Sequence, residues 1–145
     1  MLVYAVDEGA ADKHLIARDI MIRAMLLDAV LTAQALAEFL NVVRRKNLKA
    51  FAAARAQAER WAAIFPVAAT SWERIANAAA FAERHRLQLW DSVIWQAARS
   101  MHASMILSED MQDGLSIEGM TVLNPFATGN SDRLAELLTP PRETA

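Results

Sequence analysis

Apolar residues recur along the first two thirds of the chain with the period of amphipathic helices. Within 33–46, for example, Leu36, Phe39, Leu40 and Val43 fall at i, i+3, i+4 and i+7, which places them on one helix face. Glycine and proline, which interrupt helices, are nearly absent before about residue 104. This pattern predicts helices over 10–26, 33–46, 50–63 and 71–86, and one more that begins near Asp91.

Short apolar runs between these helices, and after the last of them, predict strands instead. The runs are AVLTA at 29–33, FPVAAT at 65–70, MILSED at 105–110 and MTVLN at 120–124. Short strands that alternate with helices are typical of an α/β domain with a mostly parallel sheet. In such a sheet the active site lies outside the carboxyl ends of the strands. The segment MILSED is therefore notable, because it ends on two adjacent acids.

The chain of 145 residues, 54% of them hydrophobic, is long enough for one domain with a sizeable core. We assign 1–126 to that domain and 127–145 to a partly disordered C-terminal tail that includes a short helix, DRLAELL. The net charge of −2 gives no argument for a nucleic-acid or membrane partner. Without cysteine, a membrane-spanning run or an evident signal peptide, the sequence suits the cytoplasm.

Three acids and a serine are the candidates for chemistry. Side chains alternate along a strand, so Ser108 and Asp110 lie on one side of the MILSED strand. Asp91 falls at a predicted helix start, where free N–H groups stabilise an acid. Glu38 lies on the second helix beside its apolar stripe, from which it can reach a cleft.

Three carboxylates that converge at one sheet edge repel each other unless a cation joins them. Carboxylate oxygens suit Mg²⁺ or Mn²⁺, which can activate water and neutralise charge during attack on a phosphodiester. Each acid also has an ordinary structural role: Asp91 as a helix cap, Glu38 as a solvated surface acid, and Asp110 as a turn residue near Gly114. The sequence leaves both interpretations open.

Three stretches together resemble the PIN domain family, in particular the VapC-type ribonuclease toxins of bacterial toxin–antitoxin pairs. These stretches are LVYAVDEGAADKH near the start, VLTAQALAEFLNVVRRK, and the segment from LQLWDSVIWQAARSM through MILSED to VLNPF. The likeness extends to about Phe126. The combination of AEF, WD and LSED with a terminal VLNPF is more specific than any one of these motifs.

The resemblance implies a PIN-like three-layer sandwich, in which helices flank a mostly parallel sheet, and metal-dependent cleavage of RNA. Asp91 and Asp110 would then bind Mg²⁺ or Mn²⁺, Glu38 would bind a metal or its water, and Ser108 would orient the site by hydrogen bonding. It also implies a cognate antitoxin that blocks the cleft.

The chain departs from the family pattern at its amino end. The family's first strand, which ends in an Asp-x-Asn motif, would align just before Met1. Either the native start lies upstream, or this is a degenerate copy with three carboxylates, for which the competing function is binding of antitoxin or RNA without catalysis. A chain without that strand is expected to have a split sheet or exposed strand edges.

Other residues bear on partners. Five basic residues and no acid lie between Phe39 and Ala58, and they form either an RNA phosphate contact or a solvated helix face. Trp90 and Trp95 are predicted core or dimer contacts, and the apolar helices favour a homodimer. The three histidines lack the spacing of a zinc site.

Overall fold

Helices account for most of the fold. The computed structural model describes residues 1–140, and in these the predicted helices are present with shifts of at most two residues at their ends. Short 3-10 helices at Glu8–Ala10, Leu48–Ala50 and Thr128–Asn130 connect several of them. The α-helices are α1 (Leu2–Val6), α2 (Asp12–Ala24), α3 (Ala33–Lys46), α4 (Phe51–Ile64), α5 (Trp72–His85), α6 (Leu89–Ser100) and α7 (Ser131–Leu137).

Each predicted strand is present, but the strands form two sheets rather than one. The strands are β1 (Leu31–Thr32), β2 (Val67–Ala68), β3 (Met105–Leu107), β4 (Ser116–Ile117) and β5 (Met120–Leu123). In the described part of the chain, β1 pairs with β2 in parallel, and the second sheet has the order β3-β5-β4. There β3 runs parallel to β5, and β4 runs antiparallel to it. The fold is therefore mixed α/β with a divided sheet.

Strand β4 was not predicted, because its two residues lie in a polar, turn-rich segment. It pairs with β5 through a two-residue hairpin in which Glu118 and Gly119 both have positive φ angles of 49° and 84°. Two positive φ angles give the turn a twist that suits a tight antiparallel hairpin. A salt bridge between Arg99 and Glu118 ties this hairpin to α6.

Local capping explains where two of the central helices begin. The Thr32 hydroxyl accepts a hydrogen bond from the N–H of Ala35 at 3.1 Å, so β1 passes directly into α3. The Ser71 hydroxyl does the same for the N–H of Arg74 at the start of α5. Such caps stabilise a helix by roughly 1 kcal/mol each, and here they fix the positions at which the chain leaves the sheet.

The core has two clusters, one beneath each sheet. The first surrounds Phe39 and Trp61, whose ring centroids are 5.1 Å apart. The second surrounds Phe81 and Trp95, with centroids 5.9 Å apart. Both tryptophans were predicted to be core or dimer contacts. Trp95 is 1% exposed and lies in the core, whereas Trp90 is 52% exposed and does not. Trp90 stays a candidate for a dimer contact.

The segment after residue 126 packs onto the domain up to Leu138, which is 3% exposed. Its anchor is Asp113, whose carboxylate accepts hydrogen bonds from the Asn124 N–H at 2.7 Å and from the Asn130 amide at 2.9 Å. These bonds favour the ionised acid and hold the pKa of Asp113 below its usual range, with the Asn124 bond the largest cause. Residues 141–145, the end of the predicted tail, lie outside the described part.

No helix among residues 1–140 is long and apolar enough to cross a lipid bilayer.

We expect Asp113→Asn to lower the melting temperature at neutral pH, because the ionised carboxylate is the form that accepts these bonds. A lowered folded-state pKa contributes stability above the unfolded-state pKa, and this contribution is lost as the pH falls through the folded-state value. The difference between variant and native protein should therefore shrink as the pH is lowered through the carboxyl range. Thermal melts followed by circular dichroism at a series of pH values measure it. The exposed Glu136→Gln is the control, and an equal effect of that variant would contradict the assignment.

Candidate active site

A cleft of about 570 Å³ separates the two sheets, and we call it the central cleft. Leu31 and Thr32 of β1 line one side, and the whole of β3 lines the other. Apolar side chains from α1, α2, α3 and α6 also line it. They include Met21, Ala24, Phe39, Val42, Ile94 and Ala98. The central cleft therefore lies where a single continuous sheet would have its middle.

The predicted acids Glu38, Asp91 and Asp110 all line this cleft. Glu38 lies in the second turn of α3, directly after β1, and is exposed. Its carboxylate accepts a hydrogen bond of 3.0 Å from the side-chain amide of Gln34. Asp110 follows β3 and is also exposed. Glu38 and Asp110 thus follow strands that belong to different sheets. We call the three acids Glu38, Asp91 and Asp110 the acidic mouth of the cleft.

Asp91 is the most perturbed acid of the acidic mouth. It lies in the first turn of α6 and is half-buried. Burial raises the pKa of Asp91, and the negative charges of Glu38 and Asp110 raise it further. A carboxylate whose pKa is raised by two neighbouring acids must lie within electrostatic reach of both. The structure therefore brings together the three acids that the sequence placed at one sheet edge.

Ser108 determines how the chain leaves β3. Its hydroxyl accepts hydrogen bonds from the backbone N–H groups of Asp110 and Met111, at 3.2 and 3.3 Å. A serine hydroxyl that accepts from the backbone two and three residues ahead stabilises a turn. This turn places Asp110, one of the two acids that end the MILSED segment, at the cleft. Ser108 thus positions the Asp110 backbone by hydrogen bonding.

Glu109 has a different partner, which the sequence did not predict. Its carboxylate accepts hydrogen bonds from the Met1 ammonium at 2.6 and 2.8 Å. The side chain of Met1 is 14% exposed and that of Glu109 is 18% exposed. The residues are 108 positions apart, so local spacing carries no information about this contact. Because Glu109 is paired, it adds less negative charge to the acidic mouth than a free acid would.

The basic segment contributes one cation to the cleft. Lys46, the last residue of α3, is the member of the predicted basic patch that lines it. Arg55 lies 3.8 Å from Glu59 across one turn of α4, and both side chains are about 70% exposed. Lys46 is therefore the basic residue of this segment that is placed to contact a phosphate inside the cleft. The other four are exposed, as on a solvated helix surface.

Oxygen donors of this kind suit a hard divalent cation, and the negative charges of Glu38 and Asp110, which add to burial in raising the pKa of Asp91, favour a cation there. No group of three or more His, Asp or Glu side chains within residues 1–140 is arranged to hold a metal ion together. The donor type and the local charge thus fit Mg²⁺ or Mn²⁺, while the complete ligand set is not assembled.

In comparisons with known proteins, the chain matches no protein-family model and no curated protein.

We expect Glu38→Gln to lower the pKa of Asp91, because the substitution removes one of the two charges that oppose its ionisation. Carboxyl carbon chemical shifts, followed by NMR as a function of pH, measure the titration. Glu73→Gln is a suitable control, because Glu73 is an exposed acid in the first turn of α5 and does not line the cleft. An unchanged Asp91 titration in Glu38→Gln would show that the two acids do not interact.

Proposed function

We propose that this protein is a metal-dependent endoribonuclease of the PIN type, with Glu38, Asp91 and Asp110 as its metal-site acids. The observation that carries the proposal is that these three acids, which come from α3, from the start of α6 and from the segment after β3, line one cleft. Burial raises the pKa of Asp91, and repulsion by the negative charges of Glu38 and Asp110 raises it further. Surface acids are ordinarily arranged to avoid such repulsion, so a cluster of this kind is a candidate for a functional site. The motifs AEF, WD and LSED, which resemble those of PIN-domain toxins, supply the same three acids.

Each residue has a defined part in this proposal. Asp91 and Asp110 bind the cation, and Glu38 binds a second cation or orients the attacking water. Ser108 keeps the Asp110 backbone in place through its hydrogen bonds. When bound, Mg²⁺ or Mn²⁺ would lower the pKa of water and stabilise charge on the phosphate oxygens. Lys46 lies on the same cleft and can contact a phosphate of the substrate.

RNA is the proposed substrate because the cleft pairs acids suited to divalent cations with a lysine suited to phosphate. The proposed protein partners are a cognate antitoxin that blocks this cleft and a second copy of the chain. Support for an apolar protein contact comes from large hydrophobic side chains on the surface, of which Trp72 and Leu26 are the most exposed. A cytoplasmic location follows from the substrate.

A protein that binds antitoxin or RNA without catalysis is the second candidate. The observation in its favour is that the acids within residues 1–140 do not form an assembled metal-binding group. If they cannot close around a cation, the acidic mouth has no means of activating water. Turnover that depends on a divalent cation distinguishes the two functions.

We expect the protein to cleave a fluorophore–quencher RNA in Mn²⁺ or Mg²⁺, and cleavage to stop in EDTA. Asp91→Asn should reduce the rate by at least about 100-fold, since a neutral amide is a poorer ligand for the cation. The exposed acid Glu73 again supplies the matched control, and Glu73→Gln should cleave at the native rate. Equal activity of native protein and Asp91→Asn would remove Asp91 from the site, and no turnover in either metal would favour the binding protein.

Loss of activity in Asp91→Asn should not reflect loss of the fold. The pKa of Asp91 is higher in the folded state, so its carboxyl group contributes to the free energy of unfolding. This contribution is complete below the unfolded-state pKa and is lost as the pH rises through the folded-state pKa. The melting temperature of Asp91→Asn, relative to that of the native protein, should therefore rise as the pH is raised through the carboxyl range. A relative melting temperature that falls over this range would mean that the charged Asp91 stabilises the fold.

A further inference from the structure

A group of exposed side chains lies where α5 connects to α6, directly before Asp91. The group consists of Arg84, Arg86 and Trp90, and we call it the α5–α6 platform. Trp90 is 52% exposed and immediately precedes Asp91 in the first turn of α6. Because Asp91 lines the central cleft, the platform lies beside the acidic mouth and on the outer surface of the protein.

The packing of α5 against α6 fixes the position of the platform. The Phe81 ring contacts His85 at the end of α5 and Trp95 of α6, with centroid distances of 4.4 and 5.9 Å. Leu87, which follows Arg86, is partly buried and packs against the same core cluster. The connection is therefore anchored on both sides of Arg86, and its exposed side chains extend from a fixed backbone.

The two arginines of the platform carry positive charge without an acidic partner. Within residues 1–140 neither Arg84 nor Arg86 forms a salt bridge. The exposed acid Glu83 is adjacent to Arg84 in α5, but consecutive residues of a helix do not face each other. A guanidinium group without a carboxylate partner is well suited to a phosphate, which it can bind through two parallel hydrogen bonds.

Arg86 occupies a backbone conformation that usually selects glycine. Its φ and ψ angles are 56° and 40°, in the left-handed region at the end of α5. The next N–H, that of Leu87, donates to the Ala82 C=O at 3.0 Å. Helices that end in this way most often have glycine at this position, because a Cβ is disfavoured there. Backbone strain of this kind is a reason to look for a function of the side chain.

Trp90 adds an aromatic surface to the positive charge. An exposed indole can stack on an unpaired nucleobase, and such stacking tolerates any base. Bases inside a duplex already stack on one another, so a single strand is the form of RNA that can offer a free base. An indole and two arginines beside it therefore match the two parts of a single-stranded nucleic acid, its bases and its phosphates.

A second copy of the chain fits the platform less well. In a twofold dimer the same patch of surface faces itself. Arg84 and Arg86 of the two copies would then be brought together, and their like charges would repel. The phosphates of a nucleic acid neutralise the same arginines. Charge complementarity therefore favours RNA.

We propose that the α5–α6 platform binds single-stranded RNA beside the acidic mouth, with Trp90 stacked on a base and Arg84 and Arg86 on neighbouring phosphates. The inference rests on the proposed ribonuclease function and adds the substrate class, unpaired RNA. Arg86 and Asp91 are five positions apart, so their Cα atoms are at most about 18 Å apart. A single strand that binds the platform can therefore extend to the acidic mouth, where its backbone would be cleaved.

The first experiment measures the affinity for a labelled oligouridylate by fluorescence anisotropy, in EDTA so that metal-dependent cleavage does not interfere. Trp90→Ala should weaken binding about tenfold, the size of effect that stacking on one base produces. Trp72→Ala is the matched control and should bind as the native protein does, because Trp72 is also an exposed tryptophan but lies at the start of α5. Annealing the oligouridylate to oligoadenylate, which stacks its bases, should weaken binding by the native protein.

Tryptophan emission gives a second readout of the same contact. Trp61 and Trp95 are buried, so in Trp72→Phe the exposed tryptophan that RNA can contact is Trp90. Oligouridylate should quench the emission of Trp72→Phe over the same concentration range as the change in anisotropy. It should leave the emission of Trp90→Phe unchanged.

Arg86→Gly separates RNA binding from the stability of the helix end. Glycine suits the left-handed conformation, so the variant should melt at no lower temperature than the native protein. It should bind oligouridylate at least about threefold more weakly, and the slope of log affinity against log salt should be less steep by about 0.7, the value for one phosphate of a single strand. Arg55→Gln is the control and should keep the native slope, because Arg55 lies on α4 beside Glu59.

Equal affinity of native protein and Trp90→Ala would overturn the proposal, as would a native salt slope in Arg86→Gly. If the native protein nevertheless cleaves RNA, the proposed catalytic function stands and the platform alone is wrong. No binding of oligouridylate by the native protein would also overturn the platform, and the absence of cleavage as well would remove the ribonuclease function. A smaller molar mass of Trp90→Ala in light scattering, with unchanged RNA affinity, would mean that a second copy of the chain covers Trp90.

Discussion

The fold depends on helix packing across a divided sheet. Hydrogen bonds run within each sheet, and among residues 1–140 no ladder connects β1 with β3. Helix α6 joins the two halves: it contacts α3 and β1 on one side and α5 on the other, and Val93, Trp95 and Ala97 are almost completely buried. Side-chain burial across this helix therefore holds the two halves together. In a continuous sheet, backbone hydrogen bonds between the strands would also contribute.

This arrangement explains why the cleft and the acids occur together. The strands end at one side of the molecule, so residues that follow β1 and β3 meet the first turn of α6 there. Asp91 is half-buried in that turn, and its ionisation is opposed by burial and by Glu38 and Asp110. A bound cation would reverse that opposition, since it favours the ionised carboxylate.

The central cleft thus has two chemically different parts. The acidic mouth presents carboxylates and is close to Lys46, whereas the interior presents apolar side chains and two strand edges.

The sequence alone determined helices α2 to α7, because their period and caps depend on residues a few positions apart, as for Thr32 before α3. It also located β3 and placed Asp91 in a first helical turn. The divided sheet, the brief β4, the exposure of Trp90 and the pairing of Glu109 with Met1 were decided by the tertiary structure. Each of these depends on groups far apart in the chain, whose approach is fixed by how the helices pack and not by any local pattern.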